Sequence, residues 1–172
     1  MKSLFFVFCL ALSIVVKAQI GFTHINHIEM DMALTEVEKL IQQKIIHKDD
    51  FTPVKIQYKG AEIYIIFHTY SNGSKYVYRM WITTPRLQLY GKKIGMGSSL
   101  KDFYKMYDDR EFEIIKKKES LYTDPKAEQS VLFYTRRLDE DGNDEIYQNF
   151  INFSMKKGKV YKIIIGRTED EP

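Results

Sequence analysis

Ser71-Asn72-Gly73-Ser74 lies between two runs of alternating β-branched and aromatic residues and constrains this chain more than any other stretch. Asn-Gly readily takes the positive φ angles of a two-residue type I′ turn, so the stretch predicts a hairpin with Asn72-Gly73 as its loop. Counting outward, Ser71 faces Ser74, Phe67 faces Tyr78, Ile65 faces Met80 and Ile63 faces Ile82, which gathers an apolar set on one side of the ribbon. That side is the expected core. The other side carries Tyr64 beside Trp81, Ile66 beside Arg79, His68 beside Val77 and Tyr70 beside Lys75.

Around this hairpin the pattern alternates between helix and strand. Leu34, Val37, Leu40, Ile41 and Ile45 have the spacing of one helix face, which predicts a helix over Leu34 to His47 started by a Thr35/Glu38 capping box. Pro53 ends it, and strands begin at Val54. A second helix follows Ser98-Ser99, with Leu100, Phe103, Tyr104 and Tyr107 on one face. Strands are expected at Glu111 to Lys117 and Val131 to Leu138. A last hairpin joins Glu145–Met155 to Lys159–Ile165 through a three-residue loop, Lys156-Lys157-Gly158, with Gly158 left-handed and Phe153 facing Tyr161. The expected fold class is therefore α+β: two helix-then-antiparallel-sheet units, their sheet covered by helices on one face. An offset of 63 residues aligns Val37 with Leu100 and Leu40 with Phe103, so the mature chain reads as a single domain or as two similar halves over about 34–90 and 95–167.

The first eighteen residues read as an address. Lys2 precedes an apolar run of thirteen residues, Leu4 to Val16, and Val16-Lys17-Ala18 suits signal peptidase, with cleavage after Ala18. The run is shorter than the ~20 residues a bilayer requires, so no stable membrane anchor is expected after cleavage. Phe8 before Cys9 does not make a lipobox. Removing 1–18 from the 172-residue chain leaves 154, takes the formal charge from +3 to +1 through loss of Lys2 and Lys17, and removes the only cysteine. A periplasmic or extracellular domain without a thiol can have neither disulfide staples nor thiolate chemistry, so an apolar core must hold it. The 26 basic residues barely exceed the 23 acidic ones, which argues against a nucleic-acid partner.

The tandem helix-then-sheet order, with Gly95-Met96-Gly97-Ser98-Ser99-Leu100 leading into a helix that ends near Tyr107, resembles the small exported family typified by β-lactamase-inhibitor proteins. It is also similar to a small lipoprotein of the outer-membrane assembly machinery. The likeness covers most of the mature chain, which departs from those proteins in lacking disulfides and a lipobox. It implies a sheet used as a protein-binding surface.

Several clusters invite chemistry, and each has a plainer reading. His24-x-x-His27 with Glu29 and Asp31 has metal-ligand residue types, but the spacing alone is common and the residues sit just after the cleavage site, where a solvated terminal segment is the plainer reading. Asp139 to Glu145 is rich in oxygen ligands yet has Asp144 where a calcium loop needs glycine. Gly95-x-Gly97-Ser98-Ser99 lacks the lysine of a phosphate loop and reads as a turn with an N-cap. His68 and Arg79 share a face without a placed carboxylate, and Lys116-Lys117-Lys118 reads as a solvated strand end. No catalytic residue, metal or cofactor is assigned. The twelve tyrosines, eleven phenylalanines and one tryptophan exceed what a core of this size needs. The expected function is a non-enzymatic protein-binding module, of inhibitor or immunity type, using Tyr64, His68, Tyr70, Arg79 and Trp81 against another protein. The alternative is a carrier or enzyme for a small apolar ligand, with the same aromatics lining a cavity between sheet and helix.

Overall fold

The computed structural model describes residues 19–21, 23–50, 52–85, 88–89, 92–108, 110–116, 124–138 and 145–168; the proposed leader and the oxygen-rich stretch at 139–144 lie outside them. Among the described residues, two helices, α1 (Leu34–Ile41) and α2 (Leu100–Met106), accompany eleven strands. Seven strands form one antiparallel sheet: β4 (Val54–Tyr58), β5 (Ala61–Thr69), β6 (Lys75–Ile82), β11 (Lys159–Arg167), β10 (Glu145–Lys156), β9 (Gln129–Leu138) and β8 (Glu113–Lys116), in that order. Four two-residue strands make a small second sheet: β1 (Gln19–Ile20), β2 (His24–Ile25), β3 (Ile28–Glu29) and β7 (Gln88–Leu89).

This overturns the expected α+β arrangement of two helix-then-sheet units: 48% of the described chain is strand against 12% helix. The strands of both blocks merge where β6 pairs β11, Trp81 opposite Ile164 and Arg79 opposite Gly166. The helices are too short to cover such a sheet, since eight and seven residues span only about 12 and 10 Å at 1.5 Å per residue. The first helix stops early because Gln42 turns left-handed (φ 55°) and donates its amide to the Glu38 carbonyl. It begins with Ala33, whose N–H donates to the Glu36 carboxylate at 3.0 Å, in place of the expected Thr35/Glu38 box. The small sheet supplies the rest of the cover: Ile20, Ile25, Ile28 and Leu89 join Val37 and Phe103 over Ile63, Ile65, Phe67, Met80, Phe153 and Ile163 in one buried cluster.

Both predicted hairpins form, with their turns exchanged. Asn72-Gly73 closes a three-residue loop: Tyr70 N–H donates to the Ser74 carbonyl, Gly73 N–H to the Tyr70 carbonyl, and only Gly73 has positive φ (80°). Lys157-Gly158 is instead a two-residue loop with both φ positive (51° and 70°) between paired Lys156 and Lys159, and Lys59-Gly60 repeats it (47° and 75°) between Tyr58 and Ala61. The Asn72-Gly73 and Lys157-Gly158 turns each put their hairpin one residue out of phase with the apolar pattern farther along, and a β-bulge in each restores it. In β6, Phe67 pairs Val77 but Ile66 pairs Arg79, leaving Tyr78 over; in β11, Met155 pairs Val160 but Ser154 pairs Lys162, leaving Tyr161 over. The two bulged segments are alike, Val77-Tyr78-Arg79-Met80 and Val160-Tyr161-Lys162-Ile163. Their flanking apolar residues are buried although three positions apart, which a regular strand cannot accomplish. Each bulge therefore sets a tyrosine and a cation side by side on the sheet's reverse face.

Candidate functional site: the aromatic reverse face

Three rows of side chains cross the β4–β6 half of the face away from the helices. The first runs Lys55, Tyr64, Trp81 and Ile164 across paired strands. The rings of Tyr64 and Trp81 stack with centroids 5.4 Å apart and planes 2° from parallel. A lysine closes each end: Lys55 Nζ lies 5.9 Å from the Tyr64 centroid and Lys162 Nζ 4.8 Å from that of Trp81. Glu62 holds one end, taking Lys55 at 2.6 Å and the Tyr64 hydroxyl at 2.6 Å. The Lys55 contact first, then the tyrosine bond, keeps the Glu62 carboxyl below its ordinary pKa, while the hydrogen bond to Glu62, then burial, raises that of the Tyr64 phenol. Asp124 holds the other end, 3.1 Å from Lys162, with side chains only 9% and 19% exposed. Burial pushes the Asp124 carboxyl up, but the Lys126 amide and the Lys162 ammonium outweigh it and leave it lowered.

The second row is Ile66, Arg79, Gly166 and Phe150. The third is His68 with Tyr76, reached by Tyr70 at the hairpin mouth. His68 meets Tyr70 edge-on at 5.4 Å and Tyr78 at 5.8 Å, and Tyr70 meets Tyr76 at 5.2 Å. Arg167 donates to the Tyr70 hydroxyl at 3.1 Å and pairs with Asp31 at 3.1 Å, bounding a shallow cleft of about 360 Å³.

The five residues expected to share this face do share it. Tyr64, Arg79 and Trp81 are half-buried, His68 and Tyr70 exposed. The partners differ from expectation near the turn: His68 pairs Tyr76, not Val77, and Tyr78 moves off the core side to stand beside Arg79. Sequence reasoning missed Tyr76 and Tyr78, although the three-residue interval between Val77 and Met80 was the available signal for a bulge. It also missed that the reverse face is only partly open. From β11 onward, Leu132, Phe150, Asn152 and Ser154 are fully buried, and Ser130 and Ile164 nearly so.

The other clusters resolve plainly. Asp50 stands 3.7 Å from His68 Nδ1, supplying the carboxylate that sequence reasoning could not place. Yet the Thr69 hydroxyl and amide both donate to Asp50, at 2.5 and 2.8 Å, so the hydroxyl is tied to the carboxylate and not to the imidazole that a base-activated nucleophile requires. The Thr69 hydroxyl is the main reason the Asp50 carboxyl stays below its ordinary pKa. Ser99 caps α2 with its N–H and hydroxyl both on Asp102 at 2.7 Å, so a carboxylate of the chain already occupies that helix start. The His24 ring fills the notch at Gly21, and His27 contacts the Tyr58 hydroxyl and Lys59 instead of His24. No group of three potential metal ligands gathers among the described residues. Lys117 and Lys118 lie outside them. No protein-family profile, curated protein or solved structure matches this chain.

Proposed function

We propose that the protein is an exported, non-enzymatic protein-binding module of inhibitor or immunity type, which docks another protein on the β4–β6 half of its reverse face through Tyr64, His68, Tyr70, Arg79 and Trp81. The observation that carries this reading is the parallel Tyr64–Trp81 stack clamped by an ion pair at each end. A clamped aromatic pair loses little side-chain freedom on contact, the condition under which large rings contribute most to association. Export rests on the pattern of residues 1–18. A lumen for a small apolar ligand is less supported, because Phe103, Phe133 and Phe153 fill the space between α2 and the sheet with centroids 5.0 to 6.2 Å apart.

The test is affinity capture from the envelope of the exporting cell with the mature chain. A partner retained at one-to-one ratio, with Trp81→Ala and Tyr70→Ala each weakening it roughly tenfold or more, is the expected result. Tyr104→Ala, exposed on α2, should leave binding unchanged. Full affinity in Trp81→Ala refutes the assignment of the face.

A further inference from the structure

Arg79 differs from the other cations of the face. Lys55, Lys162 and Arg167 each have a carboxylate within 3.1 Å, whereas Arg79 has neither an ion pair nor a hydrogen bond among the described residues. Its Nε is buried without a partner, and the residue as a whole is half-buried. Rings hold the guanidinium in place: its centre lies 5.7 Å from the Tyr78 centroid and 5.8 Å from that of Phe150. This arrangement depends on two backbone features. The bulge brings Tyr78 alongside, and Gly166, between Arg79 and Phe150 in the ladder, has no side chain to keep the ring away. A Cβ there would lie 2.7 Å from Phe150 Cε1 and 3.3 Å from Arg79 Cγ.

From this geometry we infer that Arg79 is the receptor for a single carboxylate presented by an acidic side chain of the protein partner. The inference rests on the reading of this face as a protein-binding surface. A half-buried guanidinium without a counter-ion is costly, and a carboxylate received by its planar fork recovers that cost when the partner excludes water. The free charge is one unit, because the flanking lysines are already neutralised by Glu62 and Asp124. One unit matches a carboxylate, whereas a dianionic phosphate would be left half compensated.

Trp81, the only tryptophan, reports binding by fluorescence, and the Arg79 Nε–Hε resonance reports contact. The probes are acetyl-Gly-Phe-Glu-Phe-Gly-amide, its Gln counterpart and inorganic phosphate, titrated into the mature chain. The expected result is saturable binding of the Glu peptide about tenfold tighter than the Gln peptide, with a shift of the Arg79 resonance. Arg79→Gln should erase the preference, and Arg79→Lys, which keeps stem and charge but loses the fork, should reduce it several-fold. Equal affinity for the two peptides, a preference that survives in both variants, tighter binding of phosphate, or no saturable response to either peptide overturns the inference. A natural partner still weakened by Trp81→Ala but not by Arg79→Gln overturns the carboxylate role and leaves the binding face standing.

Discussion

Replacing Phe103 by Ala tests how this sheet keeps its cover. Helix α2 has seven residues, too few to persist alone in water. Phe103 is its buried residue, with no exposed surface, and its ring lies 5.0 Å from Phe153 and 6.2 Å from both Phe112 and Phe133. Truncation removes roughly 100 Å² of apolar burial, about 2.5 kcal/mol at 25 cal/mol per Å². The surrounding strands can close only part of the space, and a residual cavity of roughly 80 Å³ adds about 2 kcal/mol. The total, about 4.5 kcal/mol, corresponds to a fall in Tm of roughly 9–18 °C for a domain of this size. Urea unfolding of the mature chain, followed by Trp81 fluorescence and by far-ultraviolet circular dichroism, measures it. Tyr104→Ala, one residue on but 51% exposed, is the control and should cost about 1 kcal/mol or less. A loss below about 1.5 kcal/mol for Phe103→Ala would refute the claim that this one ring anchors the helix.

Three further outcomes follow from the same geometry. A double-mutant cycle on Tyr64→Ala and Trp81→Ala should return a coupling of about 0.5–1.5 kcal/mol in urea unfolding for the parallel rings; additivity would mean that the stack contributes nothing to stability. Asn72→Gly should destabilise by about 0.5–1 kcal/mol, since it loosens the unfolded chain and removes the Oδ1 acceptor of Ser74 N–H, whereas Lys157→Asn at φ 51° should stabilise by a few tenths. The opposite signs would return the type I′ turn to the first hairpin. His47 packs edge-on against Phe67, and burial first, then the Lys75 charge, lowers its pKa. With the folded value below the unfolded one, the unfolded chain takes the proton first as pH falls through about 6.5. Stability should therefore decline from pH 7 toward pH 5 and do so less in His47→Phe; a steeper decline in that variant contradicts the direction of the shift.

Much of the sheet was legible because its signals are local. Alternation in Ile63-Tyr64-Ile65-Ile66-Phe67 specifies which side chains share a face whatever the strand later meets, and the pairs Tyr64–Trp81 and Ile66–Arg79 stand as counted from the turn. The start of α2 was legible as well, since the Asp102 carboxylate accepts from the Ser99 amide and hydroxyl within one turn of chain. The rows nearest the turn were not. Asn-Gly accepts positive φ at both residues but does not compel it, and burying both Val77 and Met80 selected the looser loop together with a bulge.

Local patterning thus established the strands, their inward side and the aromatic set on the outward side, because a period of two is a property of the backbone alone. Long-range packing settled everything that depends on distant partners: the joining of β6 to β11, the small sheet in place of longer helices, the closed half of the reverse face, and the pairing of each cation. Arg79 shows the difference most clearly. Its position on the face follows from alternation. Its place between Tyr78 and Phe150 arises only when Gly166, eighty-seven residues along the chain, comes to lie beside it.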